Sequence, residues 1–145
     1  MSDMKGLYHN KVVQQKLAAL MDSELKGEID KGHGRSEKHK ESWQKININD
    51  FLKRFTPDPT IRVHGNKISW TGKDGKYKIT ADIGGGYCRL EDNQHLLNTG
   101  IHHYLDINGK DVRNYKDEKG KQHGRPASEQ EALTHFKILH RWEMK

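Results

Sequence analysis

Apolar positions in the first third of the chain recur at helical steps. Val12, Val13, Leu17, Leu20 and Met21 fall three and four apart, with Lys11, Gln14, Gln15 and Lys16 between them, which predicts an amphipathic helix. Asn10 is its candidate cap and the pattern fades near Gly27. Ser36 predicts the start of a short helix running through Gln44. Asn47 or Asn49 caps a third helix with Ile48, Phe51, Leu52 and Phe55 on one face, and Thr56-Pro57-Asp58-Pro59 stops it. From residue 60 the period changes to two. Ile61 and Val63, then Ile68 and Trp70, flank the tight turn His64-Gly65-Asn66. Residues 77–83 alternate, and Gly84-Gly85-Gly86 is a hairpin connection into residues 87–91. Residues 101–107 predict a further strand, 111–125 a polar mobile loop, and Pro126 to Glu129 a helical turn with Ser128 as cap. Residues 134–139 alternate again as a last strand. The layout is α+β, with N-terminal helices packed on a twisted antiparallel β-sheet of four to five strands. Residues 1–59 form the helical segment and 60–145 the sheet domain, the two making one compact unit.

Residues two apart in a strand share a face, so the same alternation sorts polar side chains. Tyr77, Ile79, Ala81 and Ile83 face the helices, leaving Lys78, Thr80 and Asp82 outside; Cys88 and Leu90 face in, leaving Tyr87, Arg89 and Glu91. In 101–107, His103 falls on the buried side with Ile101, Leu105 and Ile107, and His102, Tyr104 and Asp106 fall opposite. In the last strand Thr134, Phe136 and Ile138 go in, while His135 and Lys137 go out. The outer face thereby collects Lys78, Arg89, His102, Tyr104, His135 and Lys137. A polar outer face is also the ordinary property of a one-sided antiparallel sheet, so its residue types carry the functional argument.

Composition changes the picture in two ways. Only 32% of the 145 residues are hydrophobic and 32% are charged, a lean core that needs the aromatic residues of the second half to hold it. No apolar run is long enough for a membrane span, and the single cysteine, Cys88, removes a disulfide framework. Lys and Arg number 26 against 20 Asp and Glu, giving +6 and pI ≈ 9.3, with ten His in addition. That surplus favours a polyanionic partner, because basic side chains release the counterions condensed on nucleic acid. Metal-independent RNA cleavage uses this inventory. A His takes the ribose 2′-OH proton, Lys or Arg stabilises the added charge on phosphorus, and a second His or Tyr protonates the leaving 5′-oxygen. No acidic cluster is placed to hold two metal ions, and the glycine triplet lacks the Gly-Lys-Ser/Thr of a phosphate loop. His33 and His39 have no Cys or third ligand beside them, so no metal or cofactor is expected. An RNA-facing role for one of them stays open.

The runs Tyr77-Lys78-Ile79-Thr80-Ala81-Asp82, Gly86-Tyr87-Cys88-Arg89-Leu90-Glu91-Asp92, Tyr104-Leu105-Asp106-Ile107-Asn108-Gly109 and Thr134-His135-Phe136-Lys137-Ile138 together resemble C-terminal toxin domains of bacterial polymorphic toxins. Those domains include warheads of contact-dependent growth inhibition in the barnase/EndoU/colicin/RelE-like ribonuclease superfamily. The resemblance spans roughly residues 60–140, and the terminal Thr-His-Phe-Lys-Ile is its most specific piece. It implies an endoribonuclease that cuts tRNA or another structured RNA to a 2′,3′-cyclic phosphate. Delivery would be through a bacterial secretion system into a target cell's cytoplasm, with an acidic immunity protein as partner. By position it implies His135 as general acid or base, Lys137 and Arg89 on the phosphate, and Thr134 as orienter. His102, His103, Tyr104, His33, His39, Lys78 and Tyr87 are further catalytic or RNA-binding candidates. A basic nucleic-acid-binding module without catalysis, or a toxin nuclease acting on DNA, is the alternative.

Overall fold

The computed structural model describes residues 11–21 and 43–143. The expected caps near Asn10 and Gly27, the helix starting at Ser36, and both His33 and His39 lie outside them. Helix α1 (Lys11–Met21) places Leu17 and Met21, four apart, in the core. The helix expected to run through Gln44 is corrected at its end: Trp43 sits in a bend and Gln44–Ile46 forms strand β1. A partner far along the sequence imposes that conformation, since β1 runs parallel to residues 136–138.

Helix α2 (Ile48–Phe55) forms as its pattern predicts. The Asn47 side-chain oxygen accepts from the amides of Asn49 and Asp50 at 3.0 and 3.2 Å, satisfying two donors that the first turn leaves open. Ile48, Phe51, Leu52 and Phe55 are all buried. Four strands follow in hairpin succession: β2 (Thr60–His64), β3 (Lys67–Thr71), β4 (Tyr77–Asp82) and β5 (Tyr87–Asp92). The β2–β3 turn uses Gly65 at φ 61°, a left-handed conformation that glycine adopts without a Cβ penalty. The glycine triplet is a hairpin connection, with the Gly86 amide donating to the Asp82 carbonyl at 2.9 Å.

Past β5 the structure departs from the expected meander. Helix α3 (Asn93–Thr99) opens on an Asp92 side chain that accepts from the His95 amide, and it closes on left-handed Gly100. The strand expected over 101–107 shrinks to β6 (Tyr104–Leu105), and Ile101 is 64% exposed. The loop expected over 111–125 is a hairpin of β7 (Asn114–Lys116) and β8 (Gln122–Gly124), whose residues are almost all exposed and so show no apolar period. Helix α4 (Ala127–Thr134) begins after Pro126, with no side-chain cap from Ser128. Strand β9 is therefore only Phe136–Ile138, followed by a 3₁₀ turn at Arg141–Glu143.

The class is α+β, with a sheet larger than four to five strands and helices that are not confined to the N-terminal part. Seven strands join in the order β1-β9-β5-β4-β3-β2, with β6 also on β5, and the β1–β9 pair is parallel. The inner face of β3, β4, β5 and β9 packs against α2. Phe51 meets Phe136 edge-on at 5.2 Å and Phe55 meets Tyr77 at the same distance. Each such ring contributes about 1.5–3 kcal/mol by leaving water. Cys88 is fully buried in this core, and burial pushes its thiol pKa far up.

Candidate active site

One edge of β5 pairs with β4 from end to end. The other edge takes two strands in succession, β9 at Tyr87 and Cys88 and β6 at Leu90 and Glu91. Arg89 lies at the fork between them. Alternation turns Tyr87, Arg89 and Glu91 to the outer face, where a trough of about 300 Å³ runs across the sheet. Strand β2 contributes Arg62 and His64, β3 contributes Lys67, and β4 contributes Lys78 and Asp82. Four Lys or Arg side chains thus face two carboxylates, Asp82 and Glu91, so the lining carries a positive surplus. Asp82 also serves the fold, accepting from the Gly85 amide at 3.0 Å.

The closest-knit part of the trough is at the β6 end. The Nδ1 of His102 lies 2.8 Å from Oε2 of Glu91, with side-chain exposures of 54% and 3%. A buried carboxylate here holds an exposed imidazole. With Nδ1–H donating to it, the lone pair of the neutral ring sits on Nε2. The His102 ring stacks on Tyr104, centroids 5.4 Å apart and planes 11° from parallel. The Arg89 guanidinium lies 3.3 Å from the centre of the Tyr104 ring, a cation–π contact that fixes both groups. Partial burial raises the Tyr104 phenol pKa, the Arg89 charge opposes that rise and Glu91 adds to it. The phenol therefore keeps its proton at neutral pH.

His135 and Lys137 have a different fate. The strand alternation does direct them to the outer face, but they are 2% and 8% exposed, which corrects the expectation of a solvated strand. Trp43 stacks on His135 at 4.8 Å, and Tyr87 lies against both rings. The Nδ1–H of His135 donates to the Glu131 carbonyl at 2.8 Å. That carbonyl is its orienter in place of Thr134, whose hydroxyl donates to the Gln130 carbonyl at 2.8 Å and closes α4. Lys137 Nζ lies 3.3 Å from Glu143, which also accepts from the amide and the ring of His140 at 3.0 and 2.7 Å. Burial alone would raise the Glu143 carboxyl, but the His140 hydrogen bonds and the Lys137 charge outweigh it and hold it at about 2. Lys137 lines neither the trough nor its neighbour.

That neighbour is a second cavity, about 270 Å³, on the far side of Arg89, His102 and Tyr104. His103, Thr134 and His135 line it together with Arg113 and Glu131. His103 is thus at a cavity wall and outside the core cluster, 3.5 Å from Asp111 and edge-on to His95 at 5.0 Å. Of the expected residues, the trough brings together Lys78, Tyr87, Arg89, His102 and Tyr104.

The role of Glu91 went unread in the sequence, as did the contributions of Arg62, His64 and Lys67. The signal for them was present: Arg62 and His64 alternate with Ile61 and Val63, and Glu91 alternates with Leu90. Among the described residues no three His, Cys, Asp or Glu side chains converge as a metal site, and no helix is long and apolar enough to cross a membrane. Comparison with family models, curated proteins and solved structures returned no match.

Proposed function

We propose that the chain is an endoribonuclease that cleaves RNA without a metal, in the outer trough of the sheet. The observation that carries this reading is the Glu91–His102 pair at 2.8 Å, set beside Arg89 and Tyr104 in a cation-lined trough. Nε2 of His102 takes the ribose 2′-OH proton as the 2′-oxygen bonds to the adjacent phosphorus. Arg89 stabilises the charge that gathers on the phosphoryl oxygens, and Lys78 holds a neighbouring backbone phosphate in the trough. The P–O5′ bond breaks, the Tyr104 phenol gives its proton to that oxygen, and a 2′,3′-cyclic phosphate remains. Glu91 keeps the imidazole in the reactive tautomer and favours the imidazolium that forms.

The toxin setting belongs to the same proposal and rests on the sequence resemblance: a structured RNA such as tRNA as substrate, delivery into a competing cell, and an acidic immunity protein over the trough. The test is incubation of the purified chain with total RNA in EDTA. Discrete fragments ending in cyclic phosphate, lost in His102→Ala, support the reading. Intact RNA overturns it, and RNA bound but uncut would identify a binding module instead.

A further inference from the structure

Half of the chain's net charge lies on an element outside the trough. From Lys110 to Arg125, six Lys or Arg side chains face three carboxylates, Asp111, Asp117 and Glu118. Asp111 is bound by Arg113 at 2.9 Å and Asp117 by His123 at 2.7 Å. Lys116, Lys119 and Lys121 are exposed around the β7–β8 turn. Between them stands an aromatic platform. Tyr115, 40% exposed, pairs across the hairpin with His123, the rings 5.3 Å apart and 24° from parallel. The Arg125 guanidinium lies 5.2 Å from the Tyr115 ring centre. Asp117 holds the whole arrangement. Its side chain accepts from the Lys119 and Lys121 amides at 2.9 Å each, shaping the turn, and its other oxygen fixes the His123 ring.

The hairpin is also tied to the site. Its base closes through the Arg125 amide on the Arg113 carbonyl at 2.8 Å, and Arg113 lines the cavity that shares Arg89, His102 and Tyr104 with the trough. An arginine and two aromatic rings in contact, with three exposed lysines around the same turn, suit an unpaired base and its backbone.

We propose that the β7–β8 hairpin is a clamp for single-stranded RNA, gripping the strand beyond the cleavage site. An unpaired base extends the Arg125–Tyr115–His123 stack, and Lys116, Lys119 and Lys121 contact neighbouring phosphates. The proposal rests on the ribonuclease reading for its choice of ligand.

The test is fluorescence anisotropy of the full chain with a labelled single-stranded RNA carrying 2′-O-methyl riboses, which cannot be cleaved, and with the duplex of the same sequence. Tyr115→Ala should weaken single-strand binding about tenfold and leave duplex binding within about twofold, while Tyr115→Phe retains both. Lys116→Glu with Lys119→Glu and Lys121→Glu should weaken both and reduce the slope of log affinity against log salt by about two on the single strand and about three on the duplex. Unchanged single-strand affinity in Tyr115→Ala, with an unaltered melting curve, overturns the clamp, as does a hairpin that binds an acidic protein but no oligonucleotide. The probe has no 2′-OH, so the outcomes separate. Cleavage of total RNA in EDTA, read separately, together with hairpin-independent binding of the probe removes the clamp alone. Hairpin-dependent binding without cleavage removes the ribonuclease reading alone.

Discussion

His102 and His135 both line the cavity beside Arg89, on the segments that lead into the two strands sharing one edge of β5. Both are imidazoles with Nδ1 engaged by an oxygen, Glu91 in one case and the Glu131 carbonyl in the other. The His102 side chain is 54% exposed over a cationic trough. His135 is 2% exposed beneath Trp43. Lys78 and Lys137 repeat the contrast, the first lining the trough and the second locked onto Glu143. Strand parity therefore decides which face a side chain takes. What a remote segment lays over that face decides whether it can meet a substrate.

The largest expected effect lies at the open end. His102→Ala should lower cleavage by about 10²–10⁴-fold, the range for a lost general base, read in single-turnover kinetics on a short RNA. An equal loss in His135→Ala, at unchanged stability, would erase the distinction between the two ends. At the covered end the expected loss is stability. Glu143→Ala leaves Lys137 buried with its ion-pair partner removed and should cost on the order of 3 kcal/mol in urea unfolding. Cleavage per folded molecule should stay the same.

The acid response sharpens the same contrast. The Glu143 carboxyl is held at about 2 in the fold, below its ordinary value of 4.5. The ionised form therefore stabilises the protein fully above 4.5, and this contribution is lost as pH falls toward about 2. Glu143→Ala should flatten that stretch of the acid-unfolding curve; a curve identical to wild type would remove the pair from the stability argument. The smallest effect is at Lys78. Lys78→Ala should reduce the salt slope of oligonucleotide binding by about one, with no change in melting temperature beyond a degree or two.

Where neighbouring residues alone decide, the fold was legible. Residues 77–91 alternate around a glycine turn, and α2 carries its own cap and a four-residue apolar face. Strand β1 was not, because three residues of ordinary composition become a strand only when β9 lies beside them. The β7–β8 hairpin is exposed on both faces, so nothing in its polar sequence repeats. The frame of α3, Asp92 before it and Gly100 after it, was present, but residues 93–99 hold only Leu96 and Leu97 as apolar positions and so show no helical period. The site was half legible. Arg89, His102 and Tyr104 could be named from alternation, whereas the bond from His102 to Glu91 depends on the β5–β6 register, set by a two-residue pairing. The burial of Lys137 depends on Glu143, six positions on, folding back through a 3₁₀ turn.

Strand β9 comes last in sequence among the described strands, yet it lies between β1 and β5. During synthesis, therefore, the hairpins from β2 to β5 can form early while the Tyr87–Cys88 edge waits for a partner not yet made. Strand β1, the first of the described strands in sequence, waits with it, for its own partner is the same three residues. Folding of the sheet thus closes on its longest-range contact, which makes it slow relative to its hairpins and leaves an open edge in the nascent chain. Before that closure Phe51 has no Phe136 to meet, and the fork at Arg89 has only one of its two arms.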